Sequence, residues 1–222
     1  SFKRLVDTFA KIKMHKAAFV FLIAYLFYNE GVSSVIRMAA PIAADMGFDS
    51  TFLIVVLLYI QIMAWPFALL YGRLAKTVGS RKMIIAGISV YIVVVLVAFF
   101  IPSFSNETIR QTLFWTLATL VASSQGGIQA LSRSTFGKLI PRDKSGEFFG
   151  LYNMSGKFSA FIGPALISGA TAIAVSAGAE NPERWGVLTI LVLFIIGGAL
   201  FLRTKDPDAE KEHAAQPETD AV

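Results

Sequence analysis

Two ionisable residues stand inside long apolar stretches of the chain: Glu30 within Ala17–Ile36, and Lys157 within Phe148–Ala172. A charged side chain at the centre of a bilayer costs about 2.5–3.5 kcal/mol on insertion scales, so such residues face a protein interior or a water-filled cavity. Counting a rise of about 1.5 Å per helical residue, Glu30 lies roughly 20 Å and Lys157 roughly 15 Å from the end at which its stretch begins. One reading makes them groups that bind a solute or carry a proton. The other makes them a structural ion pair, Glu30 to Lys157, that fixes helix packing. A second constellation is Gln125, Gln129 and Arg133. At spacings of four they form one polar stripe on a helix, and the adjacent Gly126–Gly127 pair lets a backbone or a solute approach closely. Amides in a row suit a polar solute path; they equally suit interhelical hydrogen bonds worth about 1 kcal/mol.

Groups for bond-breaking chemistry are missing from the same stretches. The two histidines, His15 and His213, lie outside them, and the stretches contain no Asp. The chain has no cysteine, which removes disulfides and thiolate metal sites. No catalytic residue, metal or cofactor is expected.

These residues are positioned by six segments near the roughly 20 residues a helix needs to cross hydrocarbon: Ala17–Ile36, Thr51–Tyr71, Met83–Ile101, Leu113–Leu131, Phe148–Ala172 and the shorter Trp185–Leu202. Hydrophobic residues make up 55% of the 222 and charged residues 16%, against about a quarter charged in ordinary soluble domains. Runs such as YIVVVLVAFFI (Tyr91–Ile101) lack the alternation of a transmembrane β-strand. The expected fold is therefore an all-α membrane protein.

The net charge of +5 is not a nucleic-acid signal, because Lys and Arg gather at alternate ends of the segments. One side holds Lys3, Arg4, Lys11, Lys13 and Lys16, then Arg73, Lys76, Arg81 and Lys82, then Arg133, Lys138, Arg142 and Lys144, then Arg203, Lys205 and Lys211. The other holds Arg37, Arg110 and Arg184. Both termini are expected in the cytoplasm. Residues 1–16 carry Phe2, Leu5, Val6, Phe9 and Ile12 at helical spacing opposite cations, as an interfacial amphipathic helix or a helical linker would. The transmembrane domain is taken as 17–202 and the polar, acidic tail 203–222 as disordered. No signal peptide is visible, and a chain beginning at Ser1 reads as a fragment or processed piece.

Intramembrane polar residues fall in a pattern. Segment one has Asn29 and Glu30; segment two has Tyr59, Gln61 and a Trp65–Pro66 break; segment three is bland. Segment four has Ser123, Ser124, Gln125 and Gln129; segment five has Asn153, Ser155, Lys157 and Ser159, then Gly163–Pro164; segment six is bland. That is a repeat of three, the plan of inverted 3+3 transporters, with the third helix of each triplet outside. Gly163–Pro164 is expected to break its helix, and Gly146 with Gly150 suggests close packing.

The connection after segment two reads GRLAKTVGSRK, Gly72–Lys82. It resembles the cytoplasmic-loop motif of the major facilitator superfamily at Gly72, Leu74, Ala75, Gly79 and Arg81. Lys76 replaces the motif's acidic residue, Thr77 its first arginine and Ser80 the next basic position. The strings AYLFYNEGV (Ala24–Val32), QGGIQALSRSTFGKLIP (Gln125–Pro141) and EFFGLYNMSGKFSAFIGP (Glu147–Pro164) resemble the autophagy-related vacuolar effluxer family of that superfamily, including its bacterial members, over most of Ala17–Ala172. The resemblance implies the carboxy-terminal half of a twelve-helix secondary active transporter in a cell membrane, moving a small polar solute by alternating access; eukaryotic members are associated with amino-acid export. It implies a pathway through Asn29, Glu30, Gln61, Gln125, Gln129, Asn153 and Lys157, and gating residues Gly72, Gly79, Arg81 and Arg133. The implied partners are the lipid bilayer, a small solute, and the missing amino-terminal half or a second copy. A scaffold or receptor derived from a transporter is the alternative.

The absence of cysteine makes the orientation directly testable. In intact cells a membrane-impermeant thiol reagent is expected to label Ser105→Cys, and to label Thr77→Cys only after permeabilisation. The reverse pattern would overturn the charge-based topology.

Overall fold

The computed structural model describes residues 12–179 and 182–204. Most of the amphipathic 1–16 segment and of the 203–222 tail lies outside the described residues. Six long helices occur among those described: α1 Lys16–Asp45, α2 Ser50–Val78, α3 Ser80–Phe100, α4 Glu107–Leu139, α5 Ser145–Ser176 and α6 Pro182–Leu202. Five of them, all but α4, are both long and apolar enough to cross a membrane. With 33 residues, α4 is about 50 Å long, so it is length-sufficient. Its glutamines, serines, threonines and charged ends lower its hydropathy.

The helices begin where local chemistry dictates. Asp49 caps α2, its side chain accepting from the Phe52 amide at 2.6 Å. Asn106 caps α4, accepting from Thr108 at 2.9 Å and Ile109 at 3.3 Å. Each satisfies backbone amides that the first turn leaves free. The expected loop at Gly72–Lys82 is almost all helix: α2 runs to Val78 and α3 starts at Ser80. Gly79 alone makes the reversal, at φ 96°, a conformation that disfavours any residue with a Cβ. Gly72 sits in helix with nothing near it.

Neither expected proline break occurs. Pro66 lies inside α2 and Pro164 inside α5, and both helices run through. A proline removes one amide donor, which membrane helices tolerate.

The helices associate chiefly as α2 with α4, α1 with α6, α3 with α4, α5 with α6, α1 with α5 and α3 with α6. Glycines set the close approaches. A Cβ on Gly126 of α4 would meet the Ala64 carbonyl oxygen of α2 at 2.9 Å, and one on Gly127 would enter the Tyr71 ring. On the other side, a Cβ on Gly197 of α6 would stand 2.6 Å from the Tyr28 nitrogen, and one on Gly31 of α1 would stand 2.8 Å from the Phe194 ring. Gly146 and Gly150 face open space, so that pair packs against nothing described.

In this chain α2 and α5, not α3 and α6, are left most open. Only 11% of the most apolar window of α2 and 13% of that of α5 is buried, against 39% for α3 and for α6. The reason is in the pairing: α3 and α6 pack on each other and on α4 and α1, while α2 and α5 stand at the flanks.

Aromatic rings close the end of the bundle that carries the lysines and arginines. Tyr25 stacks on Tyr152 (4.2 Å between centroids), and Tyr152 stacks on Phe136 (5.1 Å). Phe21 meets Phe136 and Phe201 at 5.9 and 5.8 Å. His15 extends the contact to Phe148 at 5.6 Å, and Ile12 beside it is fully buried.

Gly127→Val, which drives a side chain into Tyr71, is expected to cost about 1–3 kcal/mol. Gly146→Ala should stay within about 0.5 kcal/mol. Thermal unfolding of the purified protein in detergent compares them; equal melting temperatures would contradict the α2–α4 packing.

Candidate functional site

The deepest charge is Glu30, which is fully buried in α1. Its partner is Arg37, two turns farther along the same helix: the Arg37 guanidinium donates to Glu30 Oε1 and makes an ion pair with it. Ser34, between them and also fully buried, donates to Glu30 Oε1 at 3.0 Å and accepts from Arg37 at 3.1 Å. Glu30 Oε2 has no hydrogen-bond partner among the described residues. The expected alternative of a Glu30–Lys157 pair is thereby corrected. Arg37 lies within reach because α1 continues past Ile36 to Asp45, so a residue assigned to the far membrane surface turns back into the protein.

Gly163 of α5 is the surface on which this trio rests. A Cβ there would collide with Glu30 Oε1 and the Ser34 hydroxyl. Below it, Asn29 is buried, with its amide nitrogen 3.9 Å from where a Gly156 Cβ would stand. Tyr25 and Tyr152 come next. The two helices thus run side by side in one direction, 25 against 152, 29 against 156, and 30 and 34 against 163. A matching parallel contact joins α2 to α4. Tyr59 meets Thr119 at 3.1 Å between hydroxyls, Ala64 meets Gly126, and Tyr71 meets Ser124 at 3.2 Å.

The remaining sequence-derived residues are placed differently. Gln61 of α2, Gln129 of α4, and Asn153 and Lys157 of α5 are exposed on the isolated chain. Gln125 is half-buried, and its Oε1 is buried without a described hydrogen-bond partner. Arg133 is exposed, its guanidinium 5.4 Å above the Phe149 ring, a cation–π distance. Arg81 donates to the Leu202 carbonyl at the end of α6, where a cation also opposes the negative end of the helix dipole.

Two spaces among the described residues are apolar. A cavity of about 60 Å³ between α1, α2, α3 and α4 is lined by residues such as Val35, Ile60, Val94 and Leu117. An open cleft of about 660 Å³ between α5 and α6 is lined by Ile173, Trp185, Leu188 and Val192. Neither offers amide or charged groups to a polar solute. The polar groups instead divide into a buried set on α1 and an outward set on α2, α4 and α5. No group of three or more His, Cys, Asp or Glu suited to a metal occurs among the described residues.

The sequence reading passed over Ser34 and took Arg37 and Gly163 only as a flank charge and part of a helix break. The signal was present, since positions 30, 34 and 37 are spaced i, i+4, i+7 and share one helix face.

Comparison with known proteins bears on what this arrangement serves. The family described as "Vacuole effluxer Atg22 like" matches residues 1–214. An uncharacterized MFS-type transporter, YxiO, of Bacillus subtilis is 42% identical over 197 residues, covering 89% of this chain and 43% of that protein. Autophagy-related protein 22 of Vanderwaltozyma polyspora is 29% identical over 163 residues, covering 70% of this chain and 31% of its own length. The Yarrowia lipolytica protein of the same name is 25% identical over 219 residues, covering 95% and 35%. The chain spans less than half the length of these relatives.

Removing one partner of a buried ion pair leaves the other charge uncompensated, which costs roughly 3–5 kcal/mol. Arg37→Gln is expected to destabilise the protein by about the lower end of that range, because Arg37 is partly exposed. Adding Glu30→Gln should restore most of the loss. A double-mutant cycle on thermal unfolding checks this, and additive effects would contradict the pairing.

Proposed function

Because the chain belongs to the Atg22-like vacuole effluxer family, an integral membrane, MFS-type transporter family, we propose that it is the six-helix carboxy-terminal half of a secondary active transporter. In this reading α4 is the sixth span, and the helices form two inverted triplets, α1–α3 and α4–α6. The pairing of helices supports it, because each of the main contacts has a counterpart when the triplets are exchanged. α1 with α6 answers α4 with α3, α1 with α5 answers α4 with α2, and α2 with α3 answers α5 with α6. The parallel α1–α5 and α2–α4 contacts, both closed by a glycine, are the clearest instance.

The observation that carries the proposal is the outward polar set. Gln61, Gln129, Asn153 and Lys157 are exposed on α2, α4 and α5, and a cation or amide in lipid is costly. The flanking helices α2 and α5 are also the least buried. Both features fit a face that meets the other half of the transporter across a water-filled route. Amide groups and the Lys157 cation suit a small polar solute bearing a carboxylate, such as an amino acid. Half-buried Gln125 borders the same route, which moves its solute by alternating access, while Asn29 and Glu30 are buried on α1. The aromatic closure at the basic end and the Gly79 turn, with Arg81 and Arg133 anchored as described, serve as the gating side. The membrane is a bacterial inner membrane, with both termini cytoplasmic as the basic flanks direct.

Reconstituted full-length protein, tested for uptake of a labelled amino-acid panel, examines this directly. Lys157→Ala and Gln129→Leu are expected to lower uptake tenfold or more, while Ile195→Ala, on exposed α6 surface, leaves it unchanged. Uptake insensitive to all three would contradict the assignment of the pathway.

A further inference from the structure

We propose that the groove between α3 and α6 is a selective site for an anionic glycerophospholipid, which lays one acyl chain in the groove and sets its phosphate against Lys82 and Arg203.

The groove has a volume of about 280 Å³. α3 supplies Ile85, Ser89 and Ile92 to its walls, and α6 supplies Gly198, Ala199 and Leu202. The small residues at 89, 198 and 199 leave the space between the two helices. Ser89, Ala199 and Leu202 are exposed, so nothing among the described residues covers it. The one hydroxyl in the walls, on Ser89, donates to the Ile85 carbonyl of its own helix at 3.0 Å. The groove therefore offers hydrocarbon surface and no free donor to a polar solute.

Its dimensions select the occupant. Ile85 to Ile92 covers about 10 Å at the helical rise, most of the roughly 15 Å of hydrocarbon in one leaflet. Spread over that length, the volume leaves a cross-section of roughly 30 Å². A helix, about 10 Å across, is too wide for it. A single hydrocarbon chain is not.

Charge fixes the other end of the ligand. Lys82 precedes Ile85 by three residues and Ser89 by seven, so it continues the same face of α3. Arg203 follows Ala199 by four residues, just past the end of α6. Both cations are exposed, and neither has an ion-pair partner among the described residues. Beside them Arg81 donates to the Leu202 carbonyl and fastens α3 to α6 at this end. An apolar groove thus runs into two cations at the membrane surface, where an acyl chain gives way to its phosphate. Basic groups at that level attract anionic headgroups. A zwitterionic headgroup carries its own ammonium, which opposes Lys82 and Arg203. The site lies on other helices than the outward polar set of α2, α4 and α5, so it stands or falls independently of the transport pathway.

Native mass spectrometry of the complete protein, purified with equal amounts of phosphatidylglycerol and phosphatidylethanolamine, measures retention directly. The wild type is expected to keep one phosphatidylglycerol, in at least about fivefold excess over phosphatidylethanolamine. Lys82→Gln with Arg203→Gln should lower that retention about tenfold. Arg73→Gln with Lys76→Gln, an equal loss of exposed charge at the same end, should leave it unchanged. Lys82→Arg with Arg203→Lys should keep it, which guards against a folding failure. Ala199→Phe, which fills the groove without altering charge, should lower it. Millimolar glycerol 3-phosphate, a headgroup without chains, should not displace the lipid. Equal retention of the two lipids, equal loss in both glutamine pairs, indifference to Ala199→Phe, or displacement by glycerol 3-phosphate would each overturn the proposal.

Discussion

A carboxylate with no contact to solvent needs a counter-charge, and Glu30 finds one two turns along its own helix. Much of the bundle follows from that requirement. α1 must extend far enough to carry Arg37. Ser34 must point inward to fix both charges in one geometry. α5 must present a glycine at 163, because a larger residue would displace the carboxylate. The same surface of α1 then receives Asn29 beside Gly156 and the Tyr25–Tyr152 stack, so the α1–α5 contact is organised around an ion pair belonging to only one of the two helices.

Elsewhere the chain uses small residues and hydroxyls. Without a hydrophobic drive between helices in lipid, close packing and short hydrogen bonds hold a bundle together. Gly126 and Gly197 bring backbones together, and Gly127 makes room for the Tyr71 ring. Buried hydroxyl pairs follow, Tyr28 with Ser132 at 2.6 Å and Tyr71 with Ser124 at 3.2 Å. The helices fastened in this way are α1 to α4 and α6, and α2 to α4. The polar residues left outside the fastenings are Gln61, Gln129, Asn153 and Lys157. Their positions separate groups that hold the fold from groups available to something else.

The helical membrane class was legible because apolar runs of about 20 residues and clustered cations are properties of composition and order, independent of tertiary contacts. The family was legible in the strings around Gln125–Pro141 and Glu147–Pro164. Helix ends were not: Arg37, Arg73 and Lys76 looked like loop charges, whereas each lies in a helix that outlasts its apolar run. The proline breaks failed for a related reason. Losing one backbone hydrogen bond is a local cost, and neighbouring packing decides whether the helix bends. Glu30 was given Lys157 as a possible partner, because depth along a helix says nothing about rotation around it. Spacing on α1 itself held the better answer. Triplet order alone does not say which flank of this chain is left uncovered.

The central claim is that the outward amides and the Lys157 cation border water and not lipid tails. Nitroxide labels at positions 129, 153 and 157 of the complete transporter, compared with labels at Val93 and Ile195 on exposed apolar surface, measure this through collisions with a water-soluble nickel chelate and with oxygen. High chelate access is expected at the first three positions and high oxygen access at the other two. Lipid-like behaviour at all five would contradict it.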